Sequence, residues 1–229
     1  IGTRFTLCQG GLGGKGNWHF RSATNQAPTE AEMGTEGEEG VFFMELRRIA
    51  DAGLVGYPNA GKSTLLRAIS AARPKVAPYP FTTLHPMVGV VEYPDYARIT
   101  VADIPGLIDG AHENVGLGHA FLKHIERTVV LAFVLDMAGT DGRLPWEDLR
   151  HLRNELELYM KGLSRRPALI VANKMDLPGA ADNLELLRAE FADETIPIVP
   201  VSAATGDTGE LKEKLRAMVE ERKKSPFDF

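Results

Sequence analysis

The rhythm of apolar and polar positions divides this chain into two stretches. Over residues 1–40 neither the helical nor the strand period holds beyond Phe5–Leu7, so the stretch reads as irregular structure. From residue 41 the pattern becomes regular. Val41–Leu46 has the composition of a strand, and Ile49–Val55 leads into a glycine-rich turn. Lys62–Ala72 has helical spacing. Val88–Tyr93 and Arg98–Ala102 read as strands joined at Pro94-Asp95, and Gly116–Arg127 as a helix. Val129–Leu135 is a continuous apolar run of buried-strand length. Leu144–Leu163 returns to helical spacing through Leu149, Leu152, Leu156 and Tyr159. Ala168–Ala172 predicts a buried strand, Asn183–Phe191 a helix, Ile196–Val201 a strand and Thr208–Lys223 a last helix of mixed charge. Apolar strands alternating with amphipathic helices predict an α/β fold, its mostly parallel sheet covered on both faces. Such sheets bind ligands at the carboxyl ends of their strands.

Composition narrows the class. The chain has 229 residues, 44% hydrophobic and 25% charged, the balance of a globular protein with one core domain and some tens of residues over. No apolar run approaches the ~18 residues of a helical membrane span. The net charge of −5, from 26 basic and 31 acidic residues, argues against a polybasic nucleic-acid binder. Cys8, the one cysteine, can form no internal disulfide, which points to a reducing compartment. Nine of the 23 glycines fall in residues 1–40. That bias fits a flexible arm or the end of a Gly-rich domain, and Trp18, His19 and Phe20 favour something that packs.

Two motifs carry the chemistry. Gly56-Tyr57-Pro58-Asn59-Ala60-Gly61-Lys62-Ser63, followed by Thr64, is G-x-x-x-x-G-K-S between a strand and a helix: a phosphate loop. Its glycines let the backbone wrap a phosphate, and the helix behind it presents free N–H groups. Lys62 is placed to contact the β- and γ-phosphates, and Ser63 to ligate Mg²⁺. Asn173-Lys174-Met175-Asp176 follows a buried strand. Guanine offers two neighbouring donors that one carboxylate accepts, so Asp176 is the expected base reader. Adenine would leave that charge unpaired. Asn173 would buttress the site, Lys174 would lie along the nucleotide, and backbone amides of Ser202-Ala203-Ala204 could bond the guanine O6.

Two segments between these motifs have the character of switches. Phe81-Thr82-Thr83-Leu84 lies among Pro78, Pro80 and Pro86 and will not be helical. One of its threonines could complete a Mg²⁺ shell. Asp103-Ile104-Pro105-Gly106 ends a strand. Asp103 would hold Mg²⁺ through water, and the Gly106 amide would sense the γ-phosphate. Loss of that phosphate would release both loops.

In this order the segments resemble a translation-factor-class P-loop GTPase, and in detail the Obg family. The matching stretches are GYPNAGKSTLL at 56–66, YPFTTL at 79–84, ADIPGLI at 102–108, GLGHAFLKHIERT at 116–128 and VANKMDLP at 171–178. GGLGGKGN at 10–17 looks like the end of the family's glycine-rich Obg domain. The resemblance implies a six-stranded G domain over 41–224, an Obg-domain remnant over 1–40 whose beginning is lost, and a tail over 225–229. It implies GTP and GDP as ligands and Mg²⁺ held by Ser63, Thr83 and Asp103, with Thr82 competing for the Thr83 role. Lys62, Thr83 and Gly106 would act on the reacting phosphate. The implied role is a monomeric switch in assembly of the large ribosomal subunit. The stretch at 160–167 resembles mitochondrial members, which points to the mitochondrial matrix, with a bacterial cytoplasm as the alternative.

One departure bears on mechanism. Many GTPases orient the attacking water with a glutamine directly after the D-x-x-G glycine, where this chain has Leu107. Intrinsic hydrolysis is then expected to be slow, resting on Mg²⁺, Lys62 and backbone donors. A partner or K⁺ could supply further charge, since Asn59 stands where K⁺-activated relatives carry asparagine. His112, His119 and His124 fit exposed or capping roles better than contact with the water.

Overall fold

The computed structural model describes residues 4–43, 50–76, 86–103 and 128–224. The chain forms two compact units, Ile1–Leu46 and Arg47–Phe229. The expected helix Gly116–Arg127, Leu107, the three switch-region histidines and site residues Phe81, Thr82, Thr83, Leu84, Ile104, Pro105 and Gly106 lie outside the described residues.

The first unit has an order that neither the helical nor the strand period detects. The Glu38, Thr35 and Glu32 amides donate to the Gln9, Leu12 and Lys15 carbonyls at 2.8, 2.9 and 2.8 Å, one bond every third residue on each antiparallel arm. A three-residue step is the repeat of polyproline II backbone, and Gly16 has that geometry at φ −68°, ψ 166°. Close approach explains the glycines: a Cβ on Gly11 would sit 1.8 Å from the Thr35 carbonyl oxygen, and one on Gly14 1.9 Å from that of Glu32. A single 3₁₀ turn, Asn17–Phe20, follows, with the Trp18 and His19 rings edge to face. Of the expected strand Val41–Leu46, the residues Val41–Phe43 are not in a strand, and 44–46 lie outside the described residues. Among the described residues no strand pairs with Val41–Phe43.

The second unit holds a sheet of seven described strands: β1 (Ala50–Val55), β2 (Lys75–Val76), β3 (Met87–Glu92), β4 (Arg98–Asp103), β5 (Thr128–Asp136), β6 (Ala168–Asn173) and β7 (Ile198–Pro200). Their order is β2-β3-β4-β1-β5-β6-β7. β4, β1, β5, β6 and β7 are mutually parallel, while β3 pairs antiparallel with β4 and the two-residue β2 with β3. The sheet thus has seven described strands and not the expected six, and the added one is the short β2, which the hydropathy pattern does not show because both its side chains are exposed.

Alternation along β5 builds the two layers. Leu131, Phe133 and Leu135 pack on one face with Leu149, Leu152, Leu156, Leu184 and Leu187. Val130, Ala132 and Val134 pack on the other with Leu65, Leu66, Ile69, Leu211, Leu215 and Val219. Each fully buried Leu or Phe contributes about 1.5–3 kcal/mol. The helices that supply these residues are α1 (Lys62–Ile69), α2 (Pro145–Tyr159), α3 (Ala180–Glu190) and α4 (Gly209–Lys224). α1 stops before Ala72 because the Ser70 hydroxyl donates to the Leu66 carbonyl at 2.6 Å and the Ala71 amide leaves to pair with Val90 at 2.9 Å. α2 stops before Gly162, which sits at φ +88°. Among the described residues no helix is long and apolar enough to cross a membrane.

Candidate functional site

The parallel strands end along one edge, in register: Leu54 lies opposite Asp103, and Asp136 opposite Asn173. Most of the described site residues stand at that edge or in the loops leaving it.

The phosphate loop leaves β1. A Cβ on Gly56 would lie 2.4 Å from the Val134 carbonyl oxygen, so only glycine lets the loop turn there. Asn59 takes φ +60° and Gly61 φ +92°, and a Cβ on Gly61 would meet the Asn173 Nδ2 at 2.3 Å. Lys62 folds back across the loop, its Nζ donating to the Gly56 and Tyr57 carbonyls at 2.8 and 2.9 Å. Burial pushes the Lys62 amine below its ordinary value, and the nearby Asp103 charge opposes that shift. A phosphate arriving here would further favour the charged form. Pro58 and Asn59 are exposed, and Thr64 is exposed in the first turn of α1.

Ser63 and Asp103, two of the expected metal ligands, lie side by side. The Ser63 hydroxyl donates to Asp103 Oδ2 at 2.5 Å. Asp103 is only 6% exposed, and its Oδ1 is buried without a hydrogen-bond partner among the described residues. An unspent carboxylate oxygen beside a hydroxyl suits a hard cation such as Mg²⁺. Among the described residues no cluster of three His, Cys, Asp or Glu side chains could hold a metal alone. Phosphate and water oxygens would join Ser63 and Asp103 in such a shell.

Asn173 ties three loops into one site. It is 1% exposed; its Nδ2 donates to the Ala60 carbonyl at 2.8 Å, and its Oδ1 accepts the Ala203 amide at 3.1 Å. Asp176 is exposed, and its Oδ1 accepts the Ser202 hydroxyl at 2.6 Å. That hydroxyl also receives the Thr205 amide at 3.2 Å, and Ser202 is buried. Met175 donates its amide to the Val201 carbonyl at 3.2 Å, and Ala204 is exposed beside the reader.

Lys174 reveals residues the motifs did not flag. At φ +66° it turns its amine to Asp136 Oδ2 at 2.8 Å and Thr140 Oγ1 at 2.9 Å. Burial would raise the Asp136 carboxyl, but hydrogen bonds from Lys174 and Thr140 hold it below its ordinary value. The same loop brings Asp141 Oδ2 to 3.4 Å from Asn59 Nδ2 and seats Arg143 over the Tyr57 ring. The available signal was Asp136 itself, the first charge after an unbroken apolar run.

The family described as 50S ribosome-binding GTPase matches residues 51–174, more than half the chain, and the family described as GTP1/OBG matches residues 1–48. The GTPase Obg of Akkermansia muciniphila is 70% identical over 207 residues, which is 90% of this chain and 59% of that protein. The GTPase Obg of Opitutus terrae is 51% identical over 217 residues, 93% of this chain and 62% of that protein. The chain thus spans about three-fifths of the length of these curated relatives. Among solved structures, Aquifex aeolicus Era bound to GDP and AlF₄⁻ covers 76% of this chain and 56% of its own, with a TM-score of 0.52 at 21% identity. The cytosolic domain of the T. maritima FeoB iron transporter in its GMPPNP form covers 75% and 64%, with a TM-score of 0.56 at 23% identity. These two likenesses concern the fold.

Proposed function

This chain belongs to the Obg family of GTPases, and from that premise we propose that it is a Mg²⁺-dependent GTP-hydrolysing switch in assembly of the large ribosomal subunit. The observation that carries the reading is Asn173, whose one buried amide joins the phosphate loop to the loop beside Asp176. Asp176 would accept the guanine N1–H and N2–H₂, and Lys62 would bond the β- and γ-phosphate oxygens. Ser63, Asp103 and one of Thr82 and Thr83 would hold Mg²⁺, which neutralises phosphate charge as it develops. Water attacks the γ-phosphorus, the bond to the β–γ bridging oxygen breaks, and GDP and phosphate leave. Leu107 cannot hydrogen-bond that water, so turnover is slow until a ribosomal particle supplies the missing donor.

K⁺ beside Asn59 would add charge at the phosphates. Residues 1–40 would belong to the Gly-rich domain, residues 41–224 to the switch domain and 225–229 to a tail, and the protein would act as a monomer. The bacterial relatives named above favour a bacterial cytoplasm over a mitochondrial matrix, to which only the 160–167 stretch points.

Single-turnover hydrolysis with and without large ribosomal subunits, in matched KCl and NaCl, tests the reading. GTP is to be cleaved slowly alone, faster with subunits, and faster in K⁺ unless Asn59 is Ala. Equal rates in both salts would end the K⁺ proposal. No cleavage under any condition would leave a nucleotide-dependent binding module, which the Leu107 substitution for glutamine would then explain. ATP competing as well as GTP, unaffected by Asp176→Asn, would overturn the guanine assignment.

A further inference from the structure

We propose that Arg143 is a positioning residue for nucleotide binding, acting through the ring of Tyr57 to hold the phosphate loop in its binding shape. The proposal rests on the GTPase reading above.

Its guanidinium carbon stands 3.6 Å from the centroid of the Tyr57 ring, a close stack for a planar cation. The guanidinium is itself fixed. Its Nε donates at 2.7 Å to Oδ1 of Asp148, an acidic residue of the first turn of α2, where a negative charge is favoured. Tyr57 is 7% exposed and is the second residue of the phosphate loop, and its carbonyl receives the Lys62 amine. The stack thus grips the loop at a residue whose backbone already touches the phosphate-binding lysine.

The segment carrying Arg143 is built to be stiff. Asp136 Oδ1 accepts the Ala138 amide at 3.0 Å and Oδ2 the Thr140 amide at 3.1 Å. Gly139 and Gly142 sit at φ +60° and +70°, and the Gly142 amide donates to the Gly139 carbonyl at 2.8 Å. Eight residues, 136–143, therefore meet the nucleotide machinery at three places: Lys174, Asn59 and Tyr57. A phosphate loop with two left-handed residues loses order easily when no phosphate fills it. Stacking from outside keeps the empty loop arched, so less ordering remains to be done on binding. Once nucleotide fills the loop, its phosphates hold the arch and the stack adds little. The effect therefore falls on affinity and not on turnover.

The test is GDP binding and GTP turnover by the whole chain carrying Arg143→Ala, Arg143→Lys, Tyr57→Leu or Tyr57→Phe. Arg143→Ala and Tyr57→Leu are each expected to raise the GDP Kd by about 3- to 30-fold, with KM for GTP rising in step. Turnover of the Arg143→Ala chain at saturating GTP is expected to stay within about twofold of the unsubstituted chain, a split that general loosening would not produce. Tyr57→Phe keeps the ring face but loses the hydroxyl, which also interacts with Arg143, so its affinity loss is expected to be smaller than that of Tyr57→Leu. Arg143→Lys keeps a charge for Asp148 but loses the planar face, and with it the affinity. The double variant Arg143→Ala/Tyr57→Leu binds no more weakly than either single one. Unchanged affinity in both Arg143 variants, or fully additive losses in the double variant, would overturn the proposal while the GTPase reading stands. An unsubstituted chain that fails to bind GDP would overturn both.

Discussion

Asn173 and Asp136 end neighbouring strands in register and illustrate two kinds of site residue. Asn173 belongs to a motif whose order follows the ligand, so its place was legible from four consecutive letters. Asp136 belongs to no such run. Its partners Lys174 and Thr140 stand 38 and 4 positions away, and only the fold brings all three together. Arg143 was hidden for the same reason, since nothing in its local sequence points to Tyr57. The state of Asp136 has a measurable consequence. Its folded carboxyl lies below the unfolded value of about 3.9, so its contribution to stability is complete above that pH. That contribution fades as pH falls through the folded value. In urea unfolding from pH 7 to pH 3, Asp136→Asn should be the less stable protein at neutral pH. The gap to the unsubstituted chain should close below about pH 4. Parallel curves across the whole range would show that Asp136 titrates alike in both states.

Elements were easier to foresee than their ends. β5 and β6 announced themselves because buried parallel strands are apolar throughout. The end of α1 did not, because it is set by a contact with another element. Ser70 closes the helix by bonding Leu66, and β3 accommodates it with Gly89, where a Cβ would come within 2.0 Å of the Ser70 Oγ and 3.0 Å of Leu66 Cδ1. Helix end and strand are thus fitted together through one missing methyl group. The threefold pairing of residues 9–15 with 32–38 escaped for a similar reason, since neither the helical nor the strand period reports it. Gly89→Ala should cost about 1–3 kcal/mol through overpacking, and adding Ser70→Ala should recover part of that loss. Thermal melting of the two variants checks this. A Gly89→Ala protein as stable as the unsubstituted chain would mean that the strand shifts freely under α1.

At the scale of the molecule, the two compact units differ in what builds them. The apolar clusters on both faces of the sheet are drawn from residues Ala50 to Val219, all within the second unit. The first unit instead rests on backbone pairing and glycine contacts, and leaves Leu12, Trp18 and Met33 largely exposed. Every site side chain described above, from Tyr57 to Ser202, also comes from the second unit. Neither the described core nor the described site side chains therefore come from residues 1–46. A chain of residues 47–229 should melt in one cooperative transition. It should bind GDP within a factor of about two of the 229-residue chain, since 1.4 kcal/mol would be needed for tenfold. Calorimetry and nucleotide titration measure both. An affinity loss beyond tenfold with the melting transition intact would mean that the glycine-rich unit contributes directly to the nucleotide site.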